Sequence, residues 1–108
     1  MPLEALAVIR VGMEKSDVVA KLSALAQPVR LEIYLAIAAS EDGLASTRVA
    51  EAAGAMPTNT SVHLSVLRNA GLVTATKAGR TVTYTAVRGA IDQLVAFLVE
   101  AKGAASES

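Results

Sequence analysis

The sequence predicts a mainly α-helical domain that carries one β-hairpin. Three observations lead there. Apolar residues recur at helical spacing along most of the chain, the period changes to alternation between residues 72 and 87, and glycine and proline fall at the joints. With 108 residues there is room for a single domain, residues 1–108.

Taken in order, residues 3–11 can form a short helix with Leu3, Leu6 and Ile9 on one face, interrupted by Gly12. Met13 is an alternative start of translation to Met1. Ser16 or Asp17 suits an N-cap, after which Val18, Leu22 and Leu25 repeat at helical spacing. Gln27-Pro28 ends that helix, and Pro28 fits the first turn of the next, about 28–40, with Leu31, Tyr34, Leu35 and Ala38 along one stripe. The SEDG stretch at 40–43 is a turn. Ser46 can cap a short helix, 47–53, that buries Val49, Ala50 and Ala53, and Gly54 suits the sharp turn after it. Thr58 is the expected N-cap of a helix over 58–70, with Thr60, Leu64 and Leu67 at i, i+4 and i+7 and Gly71 as its end. LVTATK (72–77) and TVTYTAV (81–87) then flank Ala78-Gly79-Arg80 as a hairpin. Ile91, Leu94, Val95 and Leu98 mark a last helix over 89–101, and 102–108 reads as a frayed tail. Helix, helix, short helix, helix, hairpin, helix is the order of a winged helix-turn-helix, with 47–71 as the helix-turn-helix and 72–87 as the wing.

Composition narrows the partners. Ten basic residues balance ten acidic ones, so net charge points to neither nucleic acid nor membrane. Hydrophobic residues make up 53%, but much of that is alanine, and the aromatics are only Tyr34, Tyr84 and Phe97. Such small side chains bury little area each, which leaves a lone subunit with a thin core and predicts self-association. Residues 1–26 and 89–101 are the expected dimerisation helices, with Leu3, Leu6, Val18, Leu22, Leu94 and Leu98 in the shared core. The absence of cysteine excludes disulfides and thiolate chemistry. No apolar run approaches the roughly 20 residues of a membrane span. MPLEALAVIRVG lacks a basic leader and makes a poor signal peptide, so a cytoplasmic protein is expected.

The chemistry gathers in PTNTSVHLSVLRNAG, residues 57–71. If Thr60, Leu64 and Leu67 are buried, the opposite face carries Thr58, Asn59, Ser61, Val62 and Ser65, then Arg68 and Asn69. These are short donors and acceptors able to approach base edges, with one valine for a thymine methyl group. No Asp or Glu lies between Ala52 and Ile91, a window that holds Arg68, Lys77, Arg80, Arg88 and His63. One side of a neutral molecule should therefore be positive. Lys77 and Arg80 straddle the hairpin tip, where a wing meets phosphate or the minor groove. His63, the only histidine, reads either as a structural helix residue or as a phosphate contact. One histidine without cysteine does not make a multi-ligand metal set. Ser61 and Ser65 do not form a nucleophile–base pair with it, so no catalytic site and no cofactor are expected. Thr81, Thr83 and Thr85 read as the solvent face of a strand.

The segments LSALAQPVRLEIYLAI (22–37), RVAEAAG (48–54), SVHLSVLRNAGLV (61–73) and AGRTVTYTAV (78–87) resemble the ArsR/SmtB family of bacterial winged-helix repressors, over roughly residues 18–100. The resemblance implies a homodimer, formed by the first and last helices, on an imperfect inverted repeat in a promoter. It places Thr58, Asn59, Ser61 and Val62 near bases, His63 near the backbone and Arg80 on the wing. It does not extend to metal sensing. Family cysteines fall where this chain has Ala45 and Thr47, or near the end of the last helix, here LVEAKG (98–103), and the histidines of the last-helix metal site are missing. The expected function is a sequence-specific, dimeric DNA-binding regulator, most simply a repressor, with no metal and an unidentified effector. A winged-helix protein-interaction module and a sequence-independent DNA-binding dimer are the alternatives.

Overall fold

The computed structural model describes residues 13–104, so Leu3, Leu6 and the expected helix at 3–11 lie outside the described residues. Helix α1 spans Lys15–Ala26. Its N-cap is Glu14 rather than Ser16 or Asp17. Asp17 instead sits one turn in, where its carboxylate accepts the Glu14 backbone N–H at 3.3 Å. An acid at that position also faces the positive end of the helix dipole.

Helix α2, Pro28–Ala38, begins as expected at proline. The side chain of Gln27 caps it by accepting the Arg30 N–H at 2.7 Å. The buried stripe differs from the expected one. Ile33, Tyr34 and Ile37 are buried, whereas Leu31 and Leu35 are exposed. The helix is apolar nearly all round, so its spacing permits two stripes, and the packing against the neighbouring helices selects one. After a Ser40–Gly43 turn comes β1, Leu44–Ala45, a strand the sequence did not signal. Two residues are too few to display a period.

Helix α3, Ser46–Ala53, has Ala45 at its N-cap, so Ser46 is its first residue rather than its cap. Gly54 closes it with φ 67°, as its position in the sequence suggested. Pro57–Asn59 forms one 3-10 turn and α4 runs from Thr60 to Asn69. Thr58 therefore lies within that turn and is not the N-cap of α4. Pro57 presets the turn's φ and lacks the N–H that a helix start would leave unpaired. Strands β2 (Val73–Ala78) and β3 (Thr81–Ala86) make the hairpin. Gly79 has φ +62° at the first loop position, while no residue other than glycine has positive φ. That is the pattern a type II′ turn requires. Helix α5, Arg88–Ala104, continues past residue 101, so the expected tail is helical up to Ala104. Lys102 in its last turn suits the negative end of the dipole.

The sheet is antiparallel in the order β1-β3-β2, with Leu44 opposite Tyr84 and Ala45 opposite Thr83. Strand β3 is thus central, and Thr83 and Thr85 are half-buried rather than fully on a solvent face. The main core joins Ile33, Ile37, Val49, Leu64, Leu67, Leu72 and Val73 from three helices and the start of the wing. A second cluster of Met13, Val18 and Leu94, with Leu25 and Phe97 against it, ties α5 to α1. Val18 and Leu94, expected at a seam between subunits, are thus buried inside one subunit. Leu22 and Leu98 are exposed.

Candidate nucleic-acid interface

The helix-turn-helix is α3 and α4 joined through Gly54 and the 3-10 turn. Thr60, Leu64 and Leu67 anchor α4, at 7%, 2% and 0% exposure. Truncating leucines this well buried costs about 2–5 kcal/mol each, so they fix which face of α4 points outward. The Thr60 hydroxyl satisfies itself by donating to the Met56 carbonyl at 3.1 Å, which also pins the start of the helix to the turn before it.

The outward face is the one the sequence described. Thr58, Asn59, Ser61, Val62, Ser65, Arg68 and Asn69 are all exposed, and among the described residues none of their side chains is engaged by a hydrogen bond to the protein. Backbone and short side chains together present a surface that can enter a major groove without long side chains standing between it and the bases.

At the wing, Lys77 lies opposite Val82 and Ala78 opposite Thr81, which carries Lys77 and Arg80 to the exposed tip. Between the tip and α4 lies a cleft of about 350 Å³ lined by Ser46, Thr47, Pro57, Thr60, Ser61, Leu64, Val82 and Tyr84. The hydroxyls of Ser46 and Thr47 at the start of α3 thereby join those of α4. Sequence reasoning had assigned Ser46 to capping and had not placed Thr47 at this site. Their position on the first turn of α3, the helix preceding α4, was the available signal.

His63 is half-buried. Its Nδ1 lies 3.5 Å from Nη1 of Arg30, a residue of α2 that sequence reasoning did not single out. The Arg30 Nε donates to the Ala24 carbonyl at 2.9 Å, so the guanidinium bridges the end of α1 and the middle of α4. Lys21 also reaches α4. Its Nζ would stand 3.3 Å from a β-carbon at Gly71, just beyond the helix end. Two cations from α1 and α2 therefore add to the positive side that the acid-free window predicted. Arg88, counted in that window, instead donates to the Ala38 carbonyl at 2.9 Å and ties α5 to the end of α2.

Among the described residues no three His, Cys, Asp or Glu side chains gather where they could hold a metal ion. No helix among them is long and apolar enough to cross a membrane.

A family model described as a helix-turn-helix domain matches residues 25–76, which run from the end of α1 through most of β2. No curated protein matches the chain. Several solved structures do. An ArsR-like transcriptional regulator from Rhodococcus sp. RHA1 superimposes with TM-score 0.73 at 22% identity, over 85% of this chain and 84% of that one. The homodimeric winged helix-turn-helix DNA-binding domain of a possible ArsR-family transcriptional regulator from Mycobacterium bovis gives 0.64 at 26% identity, over 86% and 85%. NolR from Sinorhizobium fredii gives 0.63 at 28% identity, over 82% and 87%.

Proposed function

We propose that the chain, which carries a helix-turn-helix domain and is similar in structure to ArsR-family regulators, is a winged helix-turn-helix DNA-binding transcriptional regulator and acts as a homodimeric repressor that reads an inverted repeat in a promoter. The observation that carries this reading is the exposed face of α4 and of the turn that leads into it, where Asn59, Ser61, Val62 and Ser65 offer base-sized donors, acceptors and one methyl-bearing side chain. Thr58 and Arg68 extend that face at its two ends, and His63 reaches the phosphate backbone beside it.

Lys77 and Arg80 on the wing supply phosphate contacts that position the subunit without reading sequence. The hydroxyl-lined cleft between wing and α4 takes the sugar–phosphate strand running past the groove. Two subunits, joined through α1 and α5, present two such helices to half-sites one helical turn apart; a neighbour in structure is itself homodimeric. A regulator of this kind works in the cytoplasm, on chromosomal DNA.

Release from DNA does not depend on thiophilic metals in this reading, because the chain contains no cysteine to bind arsenite, Cd²⁺ or Pb²⁺. An organic ligand or a partner protein is the class of signal that remains.

The test is selection of bound duplexes from a randomised pool, followed by affinity measurements on the selected duplex and on a scrambled one. An enriched inverted repeat is expected, with Asn59→Ala or Ser61→Ala losing about 1–3 kcal/mol on the selected duplex and little on the scrambled one. Equal losses on both duplexes would identify a sequence-independent binder. No binding to either would leave a protein-interaction module.

A further inference from the structure

We infer that Arg30 is a positioning residue for DNA binding, acting through His63 by holding its imidazole in the tautomer that donates from Nε2. The inference rests on the DNA-binding reading above and deepens it. A guanidinium carries five N–H donors and no acceptor. An imidazole nitrogen that faces it at 3.5 Å must therefore bring a lone pair, not a proton. With Nδ1 as acceptor, the proton of the neutral ring resides on Nε2.

Arg30 is built to impose this. Its backbone N–H is taken by Gln27 Oε1 at 2.7 Å and its Nε by the Ala24 carbonyl at 2.9 Å. One anchor is in the last turn of α1 and the other is the connecting residue between α1 and α2, so the side chain is held on both sides of that joint before it meets α4. A lysine at this place would lack the planar fork that serves Ala24 and His63 together.

The opposite edge of the ring is open. Nε2 has no hydrogen-bond partner within the described protein. Yet no buried side-chain nitrogen or oxygen among the described residues is without a partner. It follows that Nε2 is reached by solvent. An N–H presented there, on the helix whose exposed face is proposed to enter the groove, meets a DNA phosphate oxygen as a donor. The other tautomer would turn a lone pair toward the phosphate and repel it. Arg30 thus selects the sign of the contact that His63 makes, from 33 residues away in the sequence.

Because His63 is the only histidine, its ring can be read alone by long-range ¹H–¹⁵N spectra of the ¹⁵N-histidine-labelled full chain, without DNA. The expected spectrum has a proton on Nε2 and a bare Nδ1 whose ¹⁵N shift moves when Arg30 is replaced by Met. On the duplex selected as above, Arg30→Met should weaken binding about tenfold in the parent chain, and His63→Ala should remove that effect. A proton on Nδ1 in the parent chain, measured without any variant, would overturn the inference even if Arg30→Met failed to fold. So would an unmoved Nδ1 shift, or an Arg30→Met loss that is undiminished in the His63→Ala background, which would mean that Arg30 acts on DNA by itself. Failure of the chain to bind any duplex would instead remove the proposed function, whatever the tautomer.

Discussion

A β-carbon on Gly43 would stand 2.5 Å from the carbonyl oxygen of Tyr84, closer than any real side chain approaches backbone. The turn before β1 therefore presses directly onto the central strand of the wing. The same glycine has φ +83°, and its own carbonyl accepts the Ser40 hydroxyl at 2.6 Å. Bare backbone at this point lets Leu44 and Ala45 pair with Tyr84 and Thr83, so the wing is held to the helix-turn-helix by a strand of two residues.

Gly43→Ala should accordingly destabilise the fold by about 2–3 kcal/mol or more, through steric overlap added to backbone strain. Gly54→Ala, at φ +67° with nothing within 4 Å of the new carbon, should cost only the left-handed backbone penalty of about 1 kcal/mol. Urea unfolding of both variants checks the difference. Equal losses would mean that β1 detaches and leaves the room open.

The hairpin tip has no such crowding, since Gly79 has nothing within 4 Å of its missing side chain. Arg80 beside it is free to meet phosphate. Arg80→Ala should weaken binding on every duplex alike and lower the slope of log affinity against log salt by about one. A titration series in potassium chloride reads this, and an unaltered slope would place the wing off the backbone.

The leucines expected at a subunit seam divide into two kinds, and they should behave differently. Leu94 is 5% exposed within the subunit, whereas Leu22 and Leu98 are 41% and 44% exposed. Leu94→Ala should cost about 2–5 kcal/mol of stability by opening the cluster around Met13 and Val18. Leu22→Ser with Leu98→Ser should leave each subunit folded while shifting sedimentation toward the monomer. A double variant that sediments unchanged would put the interface elsewhere.

Tyr34 makes a pH prediction. Burial raises its phenol above the ordinary 10.0, and nearby Arg88 offsets part of that rise. The folded state then holds this proton more tightly than the unfolded chain does. Its contribution to stability is complete below pH 10.0, the unfolded value, and declines as pH rises through the higher folded value. Unfolding free energy should fall less steeply above pH 10 in Tyr34→Phe than in the parent chain. Identical alkaline limbs would show that the phenol does not titrate differently on folding.

Helix α4 was legible in the sequence because its two faces are set by local geometry. Thr60, Leu64 and Leu67 recur at helical spacing and are flanked by short polar residues, so burying them leaves Asn59, Ser61 and Ser65 outside whatever the helix packs against. The hairpin was legible for the same reason, with alternation on each side of Gly79-Arg80. Spacing fixes the angle between residues on one element, but not which face turns inward when several would serve. For α2, apolar nearly all round, only packing could choose Ile33 and Ile37 over Leu31 and Leu35. Strand β1 exists only because β3 lies beside it, and two residues carry no period of their own. Arg30 and His63 stand 33 residues apart and belong to different helices, so no local pattern could pair them. The sequence by itself determined the described helices, the hairpin and the polar character of the outer face of α4. Tertiary packing decided which apolar faces stayed exposed and which cation sits behind the histidine, because those depend on distances between elements that local periodicity does not encode.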